Sequence, residues 1–474
     1  MEGFLIEINQ QQTTKQLFHQ IIQTNPTRKE EVIELENDNH IHLVYTSKYN
    51  FYSLNEEIQH KEINESKQKY FITTISQDYL INKIQTTSNR IEMMLQIDKE
   101  LSHYLLIEIH STGNIYFNSD RFTSCSLLYE LVNDSIVLSN LQCPNTCEPQ
   151  EWYSYNINTN TFEKKTKNGD TIEEYYDYLF GKRMEHPLEN VDEAVEQLRL
   201  TLSNATKMLM DDSNDPIPVL FSGGIDSSVV AYFVLEHCGN RPVELYNMSC
   251  RYENTFDSPD RLCAKAVLAD LQRLYPNKTI HFVEVNIEST TAEDISKHLI
   301  PIIYPNDTVM DLSITSATCL ALTQEGVCND VKMKRTVQRI FCGQGADEQL
   351  GGYGRHRNAL KFNKLTKELD LDFCRLWSRN SSRDDRLNDS CHALCLNPFL
   401  HEDVIRTIRN IPEHLLVKLE LPENEGNKWI LREMSRKIDM IACSAFKKTA
   451  IQFGTRMAKV LNKGKKVSGA DKLN

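Results

Sequence analysis

The sequence predicts two α/β domains, the second built on a doubly wound parallel sheet, and three observations carry that expectation. At 474 residues the chain is too long for one ordinary core. Its first part, to about residue 180, reads as short apolar runs bounded by polar turns, the pattern of half-buried strands. From about residue 190, strand and helix patterns alternate, which implies a parallel sheet covered on both faces, with ligands at the carboxyl ends of its strands.

Taken in order, Ile41-His-Leu-Val-Tyr45, Tyr104-Leu-Leu-Ile-Glu-Ile109 and Ser135-Ile-Val-Leu138 are the strands of the first part, which shows little helix signal. Val191, Ala194, Val195, Leu198, Leu202, Ala205 and Met208 recur at helical spacing and open the second part. There follow a strand from Pro216, a helix over 228–236, a strand over 243–249, a helix over 264–275 and a strand over 281–286. Residues 355–460 read as mostly helical and cap the sheet. Expected boundaries are 1–186, 187–462 and a disordered tail at 463–474, whose Lys463-Gly-Lys-Lys466 is a weak basic patch.

Hydrophobic content of 40% and charged content of 25% suit a globular protein, and no run of about eighteen apolar residues is present to span a membrane. The start Met1-Glu-Gly-Phe-Leu-Ile-Glu7 lacks a basic region and a long apolar stretch, so secretion is not expected. Thirteen scattered cysteines, an odd number, fit reduced thiols in the cytoplasm. A net charge of −13 argues against a general nucleic-acid binder.

The chemistry concentrates in two loops. In Phe221-Ser222-Gly223-Gly224-Ile225-Asp226-Ser227-Ser228 an apolar strand breaks into a glycine turn and starts a helix. The two glycines let backbone N–H groups close around oxyanions, and the serines add hydroxyls at a positive helix N-terminus. Asp226 would repel phosphate unless a cation lay between them, so it reads as a magnesium ligand. A second strand, Arg339-Ile-Phe-Cys342, ends in Gly343-Gln-Gly345-Ala-Asp347-Glu348 and then Gly351-Gly-Tyr-Gly354. In a doubly wound sheet this turn can lie beside the first, setting Asp347 opposite Asp226 around the magnesium of ATP.

These stretches resemble the glutamine-dependent asparagine synthetases, in which SGGLDSS is the pyrophosphate loop and GEGSDE supplies adenine-pocket backbone and a metal-binding aspartate. The resemblance implies an N-terminal α/β/β/α sandwich of the Ntn-hydrolase type and a PP-loop ATP pyrophosphatase domain. It places pyrophosphate on Ser222, Gly223, Gly224, Asp226, Ser227 and Ser228, adenine on Phe221, Met248, Cys342 and Gly343, and magnesium on Asp226 and Asp347, with Ile225 also among the ATP-binding residues. Asp257-Ser-Pro-Asp260 resembles the family's SPD stretch and reads equally well as a helix-capping turn.

Departures are as informative. Position 2 holds Glu2 where the family has a nucleophilic cysteine, the first cysteine is Cys125, and Ile22-Gln-Thr-Asn-Pro-Thr-Arg28 replaces the family's RGPD stretch. The resemblance thus implies an N-terminal domain without glutaminase activity. Tyr304 stands where the family has a catalytic glutamate, and Ala450 where it has a pyrophosphate-binding lysine, unless Lys447 or Lys448 substitutes. Lys428 matches a lysine before the family's ILRE helix, with a salt bridge as the alternative. His356, between two arginines, is a further candidate for phosphate contact.

In Pro305-Asn-Asp-Thr-Val-Met-Asp311 and in the segment from Lys447 to Arg456 the chain resembles eukaryotic proteins described as asparagine synthetase domain-containing. The expected chemistry is adenylation of an aspartate-like carboxylate by ATP with magnesium, then attack by ammonia, with Tyr304, Lys428 and Glu348 as the catalytic candidates. The alternative is a binding or assembly protein that keeps the fold without turnover. The expectation includes no nucleic-acid or membrane partner and allows a homodimer.

Overall fold

The computed structural model describes residues 4–8, 28–34, 40–45, 50–55, 68–74, 76–87, 89–101, 103–132, 135–140, 143–447, 449–463 and 468–473. Glu2, residues 22–27, Lys448 and residues 464–466, all invoked above, lie outside them. The chain is a mixed α/β protein of three sheets, divided into one unit of residues 1–179, 301–306 and 375–390 and a second of 180–300, 307–374 and 391–474.

The first unit holds two antiparallel six-stranded sheets. One runs β10 (Asn145–Thr146), β8 (Leu128–Val132), β9 (Ser135–Ser139), β1 (Phe4–Ile8), β3 (His40–Tyr45), β2 (Lys29–Glu34). The other runs β12 (Thr161–Thr166), β11 (Glu151–Asn156), β7 (Asn114–Ser119), β6 (Leu105–His110), β5 (Gln68–Thr73), β4 (Asn50–Asn55). Ile6, Ile41 and Leu138 from the first meet Ile107, Phe117 and Tyr153 from the second in one buried core, so the sheets pack face to face. The three strands expected from the sequence are present as β3, β6 and β9.

The expectation of little helix is corrected. Helices Gln77–Thr86 and Arg90–Glu100 cover the second sheet, with Leu80, Ile84, Met93 and Ile97 buried against Phe71 and Leu106. Their apolar stripes are narrow and diluted by Lys, Gln and Asn, so the helical period is weak in sequence but sufficient once a sheet supplies the other face. Helix Ile172–Phe180 ends near the close of this segment.

The second unit is built on a seven-stranded sheet. Its order is β17 (Val331–Met333), β16 (Gly326–Cys328), β15 (Ile280–Ile287), β14 (Val243–Cys250), β13 (Ile217–Leu220), β18 (Arg339–Phe341), β19 (Leu394–Leu396). The five strands from β15 to β19 pair in parallel, and β16 and β17 form an antiparallel edge. Alternate residues of β14 enter opposite cores: Leu245 joins helices Val191–Met208 and Ile225–His237, while Tyr246 and Met248 join helix Val309–Thr323. Both faces are therefore covered, as the near-continuous apolar strands require. Strand β19 lies inside the segment expected to be helical; three residues carry no period, and pairing with β18 fixes them as strand. No helix among the described residues is long and apolar enough to cross a membrane, and all thirteen cysteines are free.

Candidate functional site

The central strand β13 has β14 on one side and β18 on the other, so the chain turns outward in both directions from it. A crevice is expected at the carboxyl ends on either side of such a switch point. The loops after β13 and β18 both leave that edge, and they touch. A Cβ added to Gly343 would lie 2.8 Å from Asp226 Cβ and 3.1 Å from Ser227 N, so any other residue would push the two loops apart. Gly223 adopts φ +77°, with its Cβ position 2.2 Å from Ala264 N, so the first loop is pressed onto the next helix by a glycine that nothing larger could replace.

Gly224 is the N-cap of helix Ile225–His237 and supplies no side-chain acceptor to its first turn. Orphan N–H groups at a helix start favour an anion. The loop hydroxyls bond within the loop: Ser222 Oγ lies 3.1 Å from Ser227 Oγ and accepts from Gly224 N at 3.2 Å, while Ser228 Oγ donates to Gly224 O at 2.8 Å. Phe221 and Met248 are buried. Cys342 Sγ meets Asn397 Oδ1 at 2.6 Å, joining the second loop to the residue after β19.

Asp226 and Asp347 converge on one atom. Lys428 Nζ lies 2.6 and 2.5 Å from the two oxygens of Asp226 and 2.5 Å from Asp347 Oδ1. The lysine side chain is fully buried, whereas the carboxylates keep 21% and 22% exposure, so they open to solvent on the side away from it. Burial acts to lower the lysine's hold on its proton, but the two carboxylates outweigh it and raise it above the ordinary range. Lys428 takes φ 52° at the N-cap of helix Trp429–Lys437, and a Cβ on Gly352 would fall 2.4 Å from its Cε and 2.0 Å from Asp347 Oδ1. The salt bridge named as the alternative for Lys428 is therefore present, and it joins both motif acids.

Glu348 is buried and accepts from Tyr353 Oη at 2.5 Å; burial and the neighbouring Asp347 push its carboxyl upward. Tyr304 belongs to the first unit and is 40% exposed. His356 is corrected as a phosphate candidate: it is fully buried, with Nε2 2.6 Å from Asp372, and serves packing between helices Gly354–Leu360 and Leu365–Cys374. Lys447 pairs with Glu423 at 2.8 Å on the surface and supplies no charge in place of the lysine missing at Ala450. Ser258 caps helix Pro259–Leu274 by accepting from Arg261 N at 3.3 Å, which bears out the capping reading of that stretch.

Magnesium typically takes one or two carboxylates and completes its octahedron with phosphate oxygens and water. Two convergent, half-open carboxylates beside a bare helix N-terminus fit that donor set. Among the described residues no cluster of three or more His, Cys, Asp or Glu side chains offers an all-protein cage.

Residues 197–397 match the asparagine synthase family model. That match spans less than half of the chain. It is similar to asparagine synthetase domain-containing protein 1 of Gallus gallus, 33% identical over 300 residues that cover 53% of this chain and 47% of that protein. Asparagine synthetase domain-containing protein YML096W of Saccharomyces cerevisiae is 28% identical over 453 residues, covering 89% and 82%. The glutamine-hydrolyzing asparagine synthetase 1 of Arabidopsis thaliana is 31% identical over 251 residues, covering 50% and 38%. The chain spans about half the length of the vertebrate relatives it matches.

The asparagine synthase domain as matched contains both motif loops; Lys428 lies beyond it. Sequence reasoning missed Arg261, a buried cation at the strand ends. Its guanidinium donates to Asn247 Oδ1 at 2.5 Å, Asn247 O at 3.1 Å and Asn286 Oδ1 at 3.0 Å, and Asn247 in turn donates to Phe221 O at 2.8 Å. That chain of bonds sets the carboxyl ends of β13, β14 and β15. The one available signal was an arginine directly after the capping turn.

Proposed function

We propose that this chain is an ATP-dependent amide ligase of the asparagine synthetase type, which adenylates an aspartate-like carboxylate and passes the acyl group to ammonia. The observation that carries the reading is the convergence of Asp226 and Asp347 on one cation position beside the open start of helix Ile225–His237. In the reaction a substrate carboxylate oxygen attacks the α-phosphorus of ATP, the bond to the bridging oxygen breaks, pyrophosphate leaves, and the amine then displaces AMP. Bound magnesium supplies neutralising charge for the departing pyrophosphate. Ser222–Ser228 cradle that pyrophosphate with backbone N–H groups and hydroxyls, which turn from their bonds within the loop to the oxyanion. Phe221, Met248, Cys342 and Gly343 wall the adenine. Glu348 holds Tyr353 and so the loop bearing Asp347.

Ammonia is the nitrogen source in this reading, which the burial of Cys125, Cys143 and Cys147 supports. Free cysteines throughout support a cytoplasmic setting. Purified protein given ATP, magnesium, aspartate and ammonia is expected to release pyrophosphate; release no greater than from an Asp226→Ala control would contradict the proposal.

A second reading, an ATP-binding assembly protein without turnover, is favoured by one observation: Ala450 offers no charge and Lys447 is engaged by Glu423. Calorimetry showing ATP binding with no pyrophosphate release across a panel of carboxylates would select it.

A further inference from the structure

We propose that Lys428 is a built-in counter-ion, holding the Asp226 and Asp347 carboxylates in register until a divalent cation takes its place. The inference rests on the reading of those two carboxylates as magnesium ligands. Three observations point to it. Three carboxylate oxygens from two separate loops converge on Nζ at 2.5–2.6 Å, so the ammonium sits where a bridging cation would. The lysine is delivered by the fold, since its side chain is fully buried, its backbone is left-handed and Gly352 leaves room for its Cε. Both carboxylates stay partly open to solvent, so a divalent ion can reach them.

Neither acid alone accounts for this arrangement. Two carboxylates this close repel unless a cation lies between them. Lys428 would thus keep the loops assembled without metal, and metal entry would release its ammonium on its flexible stem to pair with phosphate oxygens.

The test is thermal melting of the full chain without nucleotide, in EDTA and with millimolar magnesium. Lys428→Met is expected to melt lower than wild type in EDTA, by on the order of 5 °C, and magnesium is expected to restore most of the loss while shifting wild type little. Lys428→Met combined with Asp226→Asn, which leaves a single unpaired acid, is expected to melt near wild type in EDTA and to ignore magnesium; this variant keeps the test open should the single one not fold. A Lys428→Met protein that melts with wild type in EDTA, or whose loss magnesium does not mend, overturns the exchange. Failure of the ligase reading shows separately, as absence of pyrophosphate release from wild type.

Discussion

Buried charge is handled in opposite ways in two clusters, one in each unit. In the first, Asp98 and Lys167 are both fully enclosed at 3.0 Å, with Tyr104 donating to the same carboxylate at 2.6 Å. Glu108 is likewise enclosed by Arg90, His110 and Lys69 at 2.7–3.2 Å. In the second, Lys428 is enclosed but its two acids are part-open. A fully enclosed pair can only hold structure, because no ion can reach it without unfolding. A pair with an open side can exchange partners. The difference sets the cluster proposed as a site apart from the others more clearly than the residue types do.

The largest effect that would sharpen this contrast is on stability. Asp98→Asn strands the buried Lys167 ammonium and is expected to cost about 3–5 kcal/mol, seen in urea denaturation as a lower midpoint, while the surviving folded protein keeps its ATP affinity. Next comes Asp347→Asn, expected to lower pyrophosphate release by roughly 10²–10³ with melting little changed, since Lys428 keeps Asp226. If both substitutions hit stability alike, the distinction between the clusters fails.

A smaller effect tests sign. Burial would raise Glu108, but Arg90, His110 and Lys69 hold it well below the ordinary range. A depressed carboxyl contributes stability that is present above its unfolded value of about 4.3 and lost as pH falls below it. Asp260 is the reverse: burial pushes it well above the ordinary range, its Oδ2 has no hydrogen-bond partner among the described residues, and Gly454 packs on it so closely that an added Cβ would lie 2.0 Å from its Oδ1. A raised carboxyl contributes stability below its unfolded value of about 3.9, which is lost as pH rises. Asp260→Asn should therefore stabilise the chain by about 1–2 kcal/mol at pH 7 and by nothing near pH 4, measured as the melting difference at the two pH values. A constant difference would place the cause elsewhere.

What could be read from the sequence follows the same physics. The loops at Ser222–Ser228 and Gly343–Glu348 were legible because glycine, hydroxyl and acid are demanded locally by the turn and the helix start. So was the parallel sheet, from its long apolar strands. The helices at 77–100 and strand β19 were not, because their stripes or lengths are too slight without the sheet they pack on. A salt bridge at Lys428 was legible but its partners were not, and Arg261 was missed, since a long cation's partner is chosen by tertiary approach: Lys428 reaches acids on two distant loops, and Arg261 the ends of two neighbouring strands.

The central claim is that the two loops form a carboxylate-activating ATP site, and ATP–pyrophosphate exchange tests it most directly. With magnesium and no amine, labelled pyrophosphate is expected to enter ATP only when an aspartate-like carboxylate is present, and to do so in wild type but not in Asp226→Ala. Exchange at the Asp226→Ala level with every carboxylate offered would contradict the account.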